Sequence, residues 1–236
     1  GKPSISDAVD RLIDAGVEKI VLCPMFPQFA QATTGSCNKK AIEIITSRGI
    51  DYSLIDNFYD EEFYIDCVVN QIKMSEAYEI GDRLLFSFHG LPERQLKKLD
   101  ESGEYCLMNP DCCEKKSEFN QLCYKFHCTQ TVRKIMEKLN TEKPHTICFQ
   151  SRFGRDKWVD PDILDVLQNF ADDGVENVTV ICPSFVADCL ETLEEISIRD
   201  DEIFKEMGGG KLELVPSLNV SNDWVEGFAE FLKKNS

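Results

Sequence analysis

The chain has 236 residues, 42% of them apolar, and a formal net charge of −16 at pH 7. That length allows one large domain or two small ones with real cores. The acidic balance argues against a nucleic-acid partner, which needs clustered Lys and Arg, and no stretch approaches the roughly 20 apolar residues of a membrane span.

The chain opens at Gly1 rather than Met, without a secretory signal, and the natural N-terminus is expected to lie upstream. "ISDAVDRLIDAG" reads as a helix with Ser6 or Asp7 near its cap and Gly16 as its stop. "EKIVLCPMF" is a continuous apolar run ended by prolines, the pattern of a buried parallel strand. A polar loop, "PQFAQATTG", leads to helix "NKKAIEIITSRG" and short strand "IDYSLID". "EEFYIDCVVNQIKMSEAY" has apolar residues at helical spacing, and "DRLLFSF" is the next strand. After a cysteine-rich stretch come helix 129–139, strand "HTICFQ", helix "DPDILDVLQNFADDG" and strand "ENVTVICPSF". A long acidic helix from about Asp188, strand "LELVPSL" and helix "DWVEGFAEFLKK" close the chain. Strand and helix alternate throughout, which predicts an α/β fold with doubly wound parallel sheets. "VEKIVLCPMFPQ" and "VENVTVICPSFVAD" are alike, which suggests two similar halves.

Ligands of such sheets bind beyond the carboxyl ends of the strands. His89, one of three histidines, stands at such an end, followed by Gly90. A neutral imidazole there can bind a divalent metal or accept a proton, or it is a satisfied core histidine. Gly90 would let a ligand approach the backbone. In "ADCLETLEE", α-helical spacing puts Asp188, Glu191 and Glu195 on one face. That is either a solvated helix start, with Asp188 as N-cap, or an acidic path for protons or metal ions. Trp158 in "QSRFGRDKW" is either core or the flat wall of a planar-ligand pocket. Neither a P-loop nor GxGxxG is present, which argues against a nucleotide cofactor.

The chain has 11 cysteines. Cys23, Cys37, Cys67, Cys148, Cys182 and Cys189 are scattered, and several read as small buried hydrophobes. Cys106, Cys112, Cys113, Cys123 and Cys128 are clustered with spacing C-x5-C-C-x9-C-x4-C, unlike the paired C-x2-C of a zinc ribbon. Four of these five can hold a [2Fe–2S] cluster. Zinc with His127 joining, and free or disulfide-forming thiols, are the alternatives.

"LLFSFHGLP", "FQSRFGRDKW" and "CPSFVADCLETLEEI", in this order, closely resemble the ferrochelatase family, and "FPQFAQATTGS" is similar to that family's porphyrin-side loop. The resemblance spans nearly all of the chain apart from about residues 95–125. It implies the chelatase fold: two Rossmann-like domains with a porphyrin cleft between them. Residues 1–78 would be what remains of the first domain. Residues 79–220 would be the second, with a cysteine-rich insert at 95–125, and 221–236 a C-terminal helix. The resemblance implies a lyase that inserts Fe2+ into protoporphyrin IX, the last step of haem synthesis. His89 matches the family's active-site histidine and Glu191 the glutamate facing it, both as catalytic and metal residues. Asp188 and Glu195 match acidic residues continuing the metal path outward. Trp158 and Phe185 match pocket-wall aromatics, and Phe26 and Ser151 complete the expected porphyrin-binding set. Cys189 stands where many members have a second histidine. The chain opens inside a family motif, at "GKPSI", so the family's first strand is expected upstream. Some members carry a [2Fe–2S] cluster with C-terminal cysteines and one in the Thr-Thr-Gly loop. This chain has Gln31 there and no cysteine after Cys189, so its cluster would use internal ligands. Cys128 resembles a cysteine of cluster-free members. A cytoplasmic location follows from the resemblance and the lack of a signal, with peripheral membrane association left open. The alternatives are a coproporphyrin III chelatase, or a non-catalytic haem- or iron–sulfur-binding protein on the same fold.

Overall fold

The computed structural model describes residues 1–236. Helix α1 (Ile5–Asp14) is capped by Ser4, whose hydroxyl accepts the Asp7 amide while the Asp7 carboxylate accepts the Ser4 amide. Asp7 is thus the partner in a capping box, and the cap lies two residues before Ser6. Strand β1 (Lys19–Leu22) pairs in parallel with β2 (Asp51–Leu54). Between them the "QATTG" segment winds as a π-helical turn (Gln31–Gly35) that runs straight into α2 (Ser36–Ser47). The helix expected over 61–78 is two helices, α3 (Glu62–Met74) and α4 (Glu76–Ile80). Ser75 separates them in an extended conformation, and its hydroxyl caps α4.

The second sheet is built on β3 (Arg83–His89). Its side chains alternate between two cores, as the pleat requires. Leu84, Phe86 and Phe88 enter the larger core and Leu85 the smaller. Both faces are covered, which is why the strand reads as a continuous apolar run. The chain then passes through α5 (Glu93–Lys97), the cysteine-rich turns and α6 (Tyr124–Leu139) to β4 (His145–Gln150). From there α7 (Ile163–Asp172) leads to β5 (Asn177–Ile181). A ten-residue π-helix (Glu191–Asp200) continues into α8 (Asp201–Glu206), then β6 (Lys211–Leu214) and α9 (Asn222–Lys234). All pairings are parallel, in the order β4-β3-β5-β6. The chain winds from β3 outward to β4, then crosses back to β5 and outward to β6. The winding reverses between β3 and β5, so a crevice is expected beyond their carboxyl ends.

The two-stranded sheet has a small core of Val9, Ile20, Ala41 and Ile45. The large core draws on both the 58–77 segment and the second sheet. Phe58, fully buried, sits among Phe63, Tyr64, Trp224, Phe228 and Phe231 and joins α3 to α9.

His127 is a core group rather than a metal ligand. Its Nδ1 accepts the Phe29 amide at 3.1 Å, so Nε2 carries the proton and donates to the Gln121 carbonyl at 2.8 Å. Both nitrogens are used, and Tyr59 stacks on the ring at 3.8 Å. Burial pushes the imidazole down to about 4, outweighing the Gln121 carbonyl and nearby Cys123 and Asp60. The unfolded chain therefore binds a proton that the folded chain refuses. The stability this provides is complete above pH 6.5 and is lost as pH falls toward 4, on the order of 3 kcal/mol in all. Urea midpoints should fall over that window, and less steeply in His127→Gln.

Candidate functional site

The crevice at the reversal of winding is an open cavity of about 440 Å³, within the range of small-molecule pockets. His89 enters it from the end of β3, Ser184 and Phe185 from the loop after β5, and Glu191 from the start of the π-helix. Phe26, Gln28 and Ala30 close it from the loop after β1. Three segments distant in sequence meet because each ends or follows a parallel strand at the same edge.

His89 is oriented by its own backbone. Nδ1 lies 2.7 Å from the Gly90 carbonyl. A carbonyl only accepts, so Nδ1 carries a proton, and in the neutral ring Nε2 then faces the cavity as the acceptor. Gly90 is small for a reason other than ligand approach. A Cβ there would lie 2.8 Å from the Gln150 carbonyl and 3.1 Å from the Trp158 ring. Tyr124, the first residue of α6, donates its hydroxyl to the His89 carbonyl at 2.9 Å and meets Ser184 Oγ at 3.3 Å. Ser184 in turn donates to Gln28 at 3.0 Å, tying the wall after β5 to the loop after β1.

Glu191 is held below the ordinary carboxylate range. The Cys189 thiol is the main cause, followed by its own amide, and the nearby His89 acts in the same direction; burial opposes them. The carboxylate is therefore ionised at neutral pH, facing the same cavity as the His89 imidazole. Cys189 stands where many members of the resembled family have a second histidine, and here its thiol helps to hold this carboxylate low.

The other expected site residues are distributed differently. Phe26 and Phe185 line the cavity. Trp158 packs behind Gly90, its indole N–H donating to the Phe153 carbonyl. Asp188 precedes the π-helix and caps none of its amides. Its carboxylate takes the Ser217 amide at 3.1 Å, Asn219 Nδ2 at 2.8 Å and Thr192 Oγ1 at 3.3 Å. Burial raises its carboxyl, but these donors together outweigh burial and hold it low. Glu195 is buried one turn behind Glu191, because i→i+5 winding keeps residues four and five apart on one side. Arg199 at 2.8 Å and Ser151 Oγ at 2.6 Å occupy its oxygens. Neither Asp188 nor Glu195 lines the cavity, and Ser151 reaches only Glu195.

The cysteine-rich turns bring four sulfurs together. Cys106, Cys112, Cys113 and Cys123 are all buried, and Cys112 and Cys113 lie 3.8 Å apart. Two buried polar side chains shape the turns. Asp100 accepts the amides of Ser102, Tyr105 and Cys106. Asn120 donates to the carbonyls of Cys112 and Lys115 and accepts the Ser117 amide. Cys123 stands at the N-cap position of α6, and its thiol is drawn down by Cys106 and Cys113, with the amides of Phe126 and Lys125 also helping, against burial. A thiol drawn down at a helix start among other thiols is the chemistry of a ligand sulfur. Cys128 stands apart, fully buried beside Tyr124 and Tyr64, where burial pushes its thiol well up. No three His, Cys, Asp or Glu side chains converge on a single-ion position, here or at His89.

The sequence profile of ferrochelatases matches residues 1–236. The chain belongs to the ferrochelatase family. A ferrochelatase of Stutzerimonas stutzeri (strain A1501) is 39% identical over 99% of this chain and 70% of its own length. One of Bdellovibrio bacteriovorus is 40% identical over 98% of this chain and 69% of its own length. Ferrochelatases are lyases that take Fe2+ as substrate, and this is the activity of the chain. The fold is also that of SirB from Bacillus subtilis, solved with Fe3+: TM-score 0.63 at 12% identity, over 100% of this chain and 78% of that one. The expectation of a ferrochelatase on an α/β chelatase fold therefore holds. No helix is long and apolar enough to cross a membrane.

Proposed function

We propose that the whole protein inserts Fe2+ into protoporphyrin IX, with the macrocycle seated in the cavity between His89 and Glu191. Metallation exchanges two pyrrole protons for one dication, so the site needs a proton acceptor and an anion near the incoming metal. The supporting observation is the pair itself: an imidazole held by its Nδ1 and an ionised carboxylate in one cavity. His89 takes a pyrrole proton at Nε2, and Glu191 attracts the metal and carries the second proton away. Phe26 and Phe185 hold the flat faces of the ring. Trp158 supports this wall from behind Gly90. Asp188 and Glu195, both tied to donors, shape the acidic helix start and its approach.

The residues that line the cavity include no Lys or Arg. An apolar lining with so few cation partners suits two vinyl groups better than the four propionates of coproporphyrin III. The full-length protein, kept anaerobic and followed by porphyrin absorbance, should metallate protoporphyrin IX with the higher kcat/KM, by about tenfold or more. Equal or reversed preference would overturn the substrate assignment.

For the cysteine cage we propose a [2Fe–2S] cluster held by Cys106, Cys112, Cys113 and Cys123. Four buried sulfurs on preshaped turns, one of them with its thiol drawn down, fit such a group. When bound, it would supply a one-electron acceptor and four thiolate bonds that fasten residues 106–123 to the start of α6.

A further inference from the structure

Gln150 is the last residue of β4 and stands in register with His89 on β3. It is fully buried. A buried primary amide is costly unless its hydrogen-bonding positions are met, and here they are. Nε2 donates to the Glu191 main-chain carbonyl at 2.9 Å and to Glu195 Oε2 at 3.3 Å. Oε1 accepts the buried Ser87 hydroxyl at 2.7 Å and faces Cys182 Sγ at 4.0 Å. Carbonyl and carboxylate oxygens cannot donate, so the amide has one orientation: nitrogen toward the π-helix, oxygen toward the sheet. The backbone of the same residue serves the other side of the cavity. Gly90 donates its amide to the Gln150 carbonyl at 2.8 Å, and the Gly90 carbonyl is the group that orients the His89 ring.

We propose that Gln150 is a positioning residue for metallation: its amide fixes the first turn of the π-helix, and with it Glu191, relative to His89. A π-helix has poorer internal geometry than an α-helix and is rare at this length. Its register needs an outside reference, and Gln150 is a reference shared with His89. The inference rests on the roles of His89 and Glu191 given above. A merely structural role for Gln150 would cost stability and leave the kcat of folded protein unchanged. A positioning role separates kcat from porphyrin binding.

The test uses full-length protein carrying Gln150→Glu, Gln150→Leu or Ser87→Ala, with His89→Ala beside them. Porphyrin affinity is read by fluorescence quenching, and kcat and KM by absorbance below each variant's Tm. Gln150→Glu keeps the size and the acceptor for Ser87 but cannot donate to Glu191 and repels Glu195. It should lose about 10- to 100-fold in kcat, with porphyrin affinity within about twofold of wild type. Gln150→Leu should behave alike. Ser87→Ala removes the hydroxyl that anchors the amide oxygen, loosening the side chain, and should lose a smaller, measurable part of kcat at unchanged porphyrin KM. Wild-type kcat in Gln150→Glu overturns the proposal while inactive His89→Ala keeps the underlying reading intact. Full activity in His89→Ala would instead remove that reading. Should both Gln150 variants fail to fold, unchanged kcat in Ser87→Ala overturns the proposal.

Discussion

Glu191→Gln should lower kcat for metallation by about a hundredfold or more with porphyrin still bound. The substitution keeps the side chain's size. What it removes is the charge, which the Cys189 thiol, the residue's own amide and His89 keep in place at neutral pH. Because the carboxyl is held low, the wild-type rate should lose its Glu191 contribution only as pH falls below the ordinary carboxylate range. In Glu191→Gln that acid limb should vanish from the kcat profile. Glu191→Asp keeps the charge but shortens the side chain, and should retain more activity than Glu191→Gln. Initial rates with Zn2+ or Fe2+, at porphyrin concentrations well above KM, read both. A Glu191→Gln rate within about threefold of wild type would remove Glu191 from the chemistry.

Cys123→Ser should abolish the iron–sulfur group, and Cys128→Ser should leave it intact. Cys123 is the sulfur whose thiol both Cys106 and Cys113 draw down, and it is the N-cap residue of α6. A serine there supplies a poor iron ligand and leaves three sulfurs where four are needed. Anaerobically purified wild type should be coloured, with visible absorbance that bleaches on reduction and iron near two per chain, the count in a [2Fe–2S] cluster. Cys123→Ser should be colourless and should lose thermal stability, because the bonds fastening the insert to α6 are gone. Cys128 points among tyrosines in the core, so Cys128→Ser buries a hydroxyl there and lowers stability without bleaching the protein. Loss of colour in Cys128→Ser alone would reverse the ligand assignment. Colourless wild type with one zinc per chain would end it.

The strands were legible because β3, β4 and β5 are short apolar runs bounded by Pro, Gly or polar residues. "HTICFQ" is β4 residue for residue. His89 and Glu191 were legible through the segments that carry them. The helix starts were less so. α6 begins at Tyr124, five residues before the predicted start at 129, because its buried face carries Tyr124, His127, Cys128 and Thr131 rather than aliphatics. That shift concealed Tyr124 as a wall of the cavity. Its signal was the 124, 128, 131, 135 spacing read with those residues counted as buried. The π-helix was illegible, since the same acidic segment satisfies α-helical spacing. Gln150 could not be found from sequence, because its value lies in four partners on three other segments. Gly90 was noticed for its missing side chain, but what approaches it is Gln150 and Trp158.

The central claim is that His89 acts on a porphyrin held in the crevice between β3 and β5. Single-turnover metallation by full-length His89→Ala tests it most directly, with protoporphyrin IX bound beforehand and Fe2+ added anaerobically. Porphyrin occupancy should equal that of wild type, and the metallation rate should be lower by about a hundredfold or more. Wild-type rates at equal occupancy would contradict it.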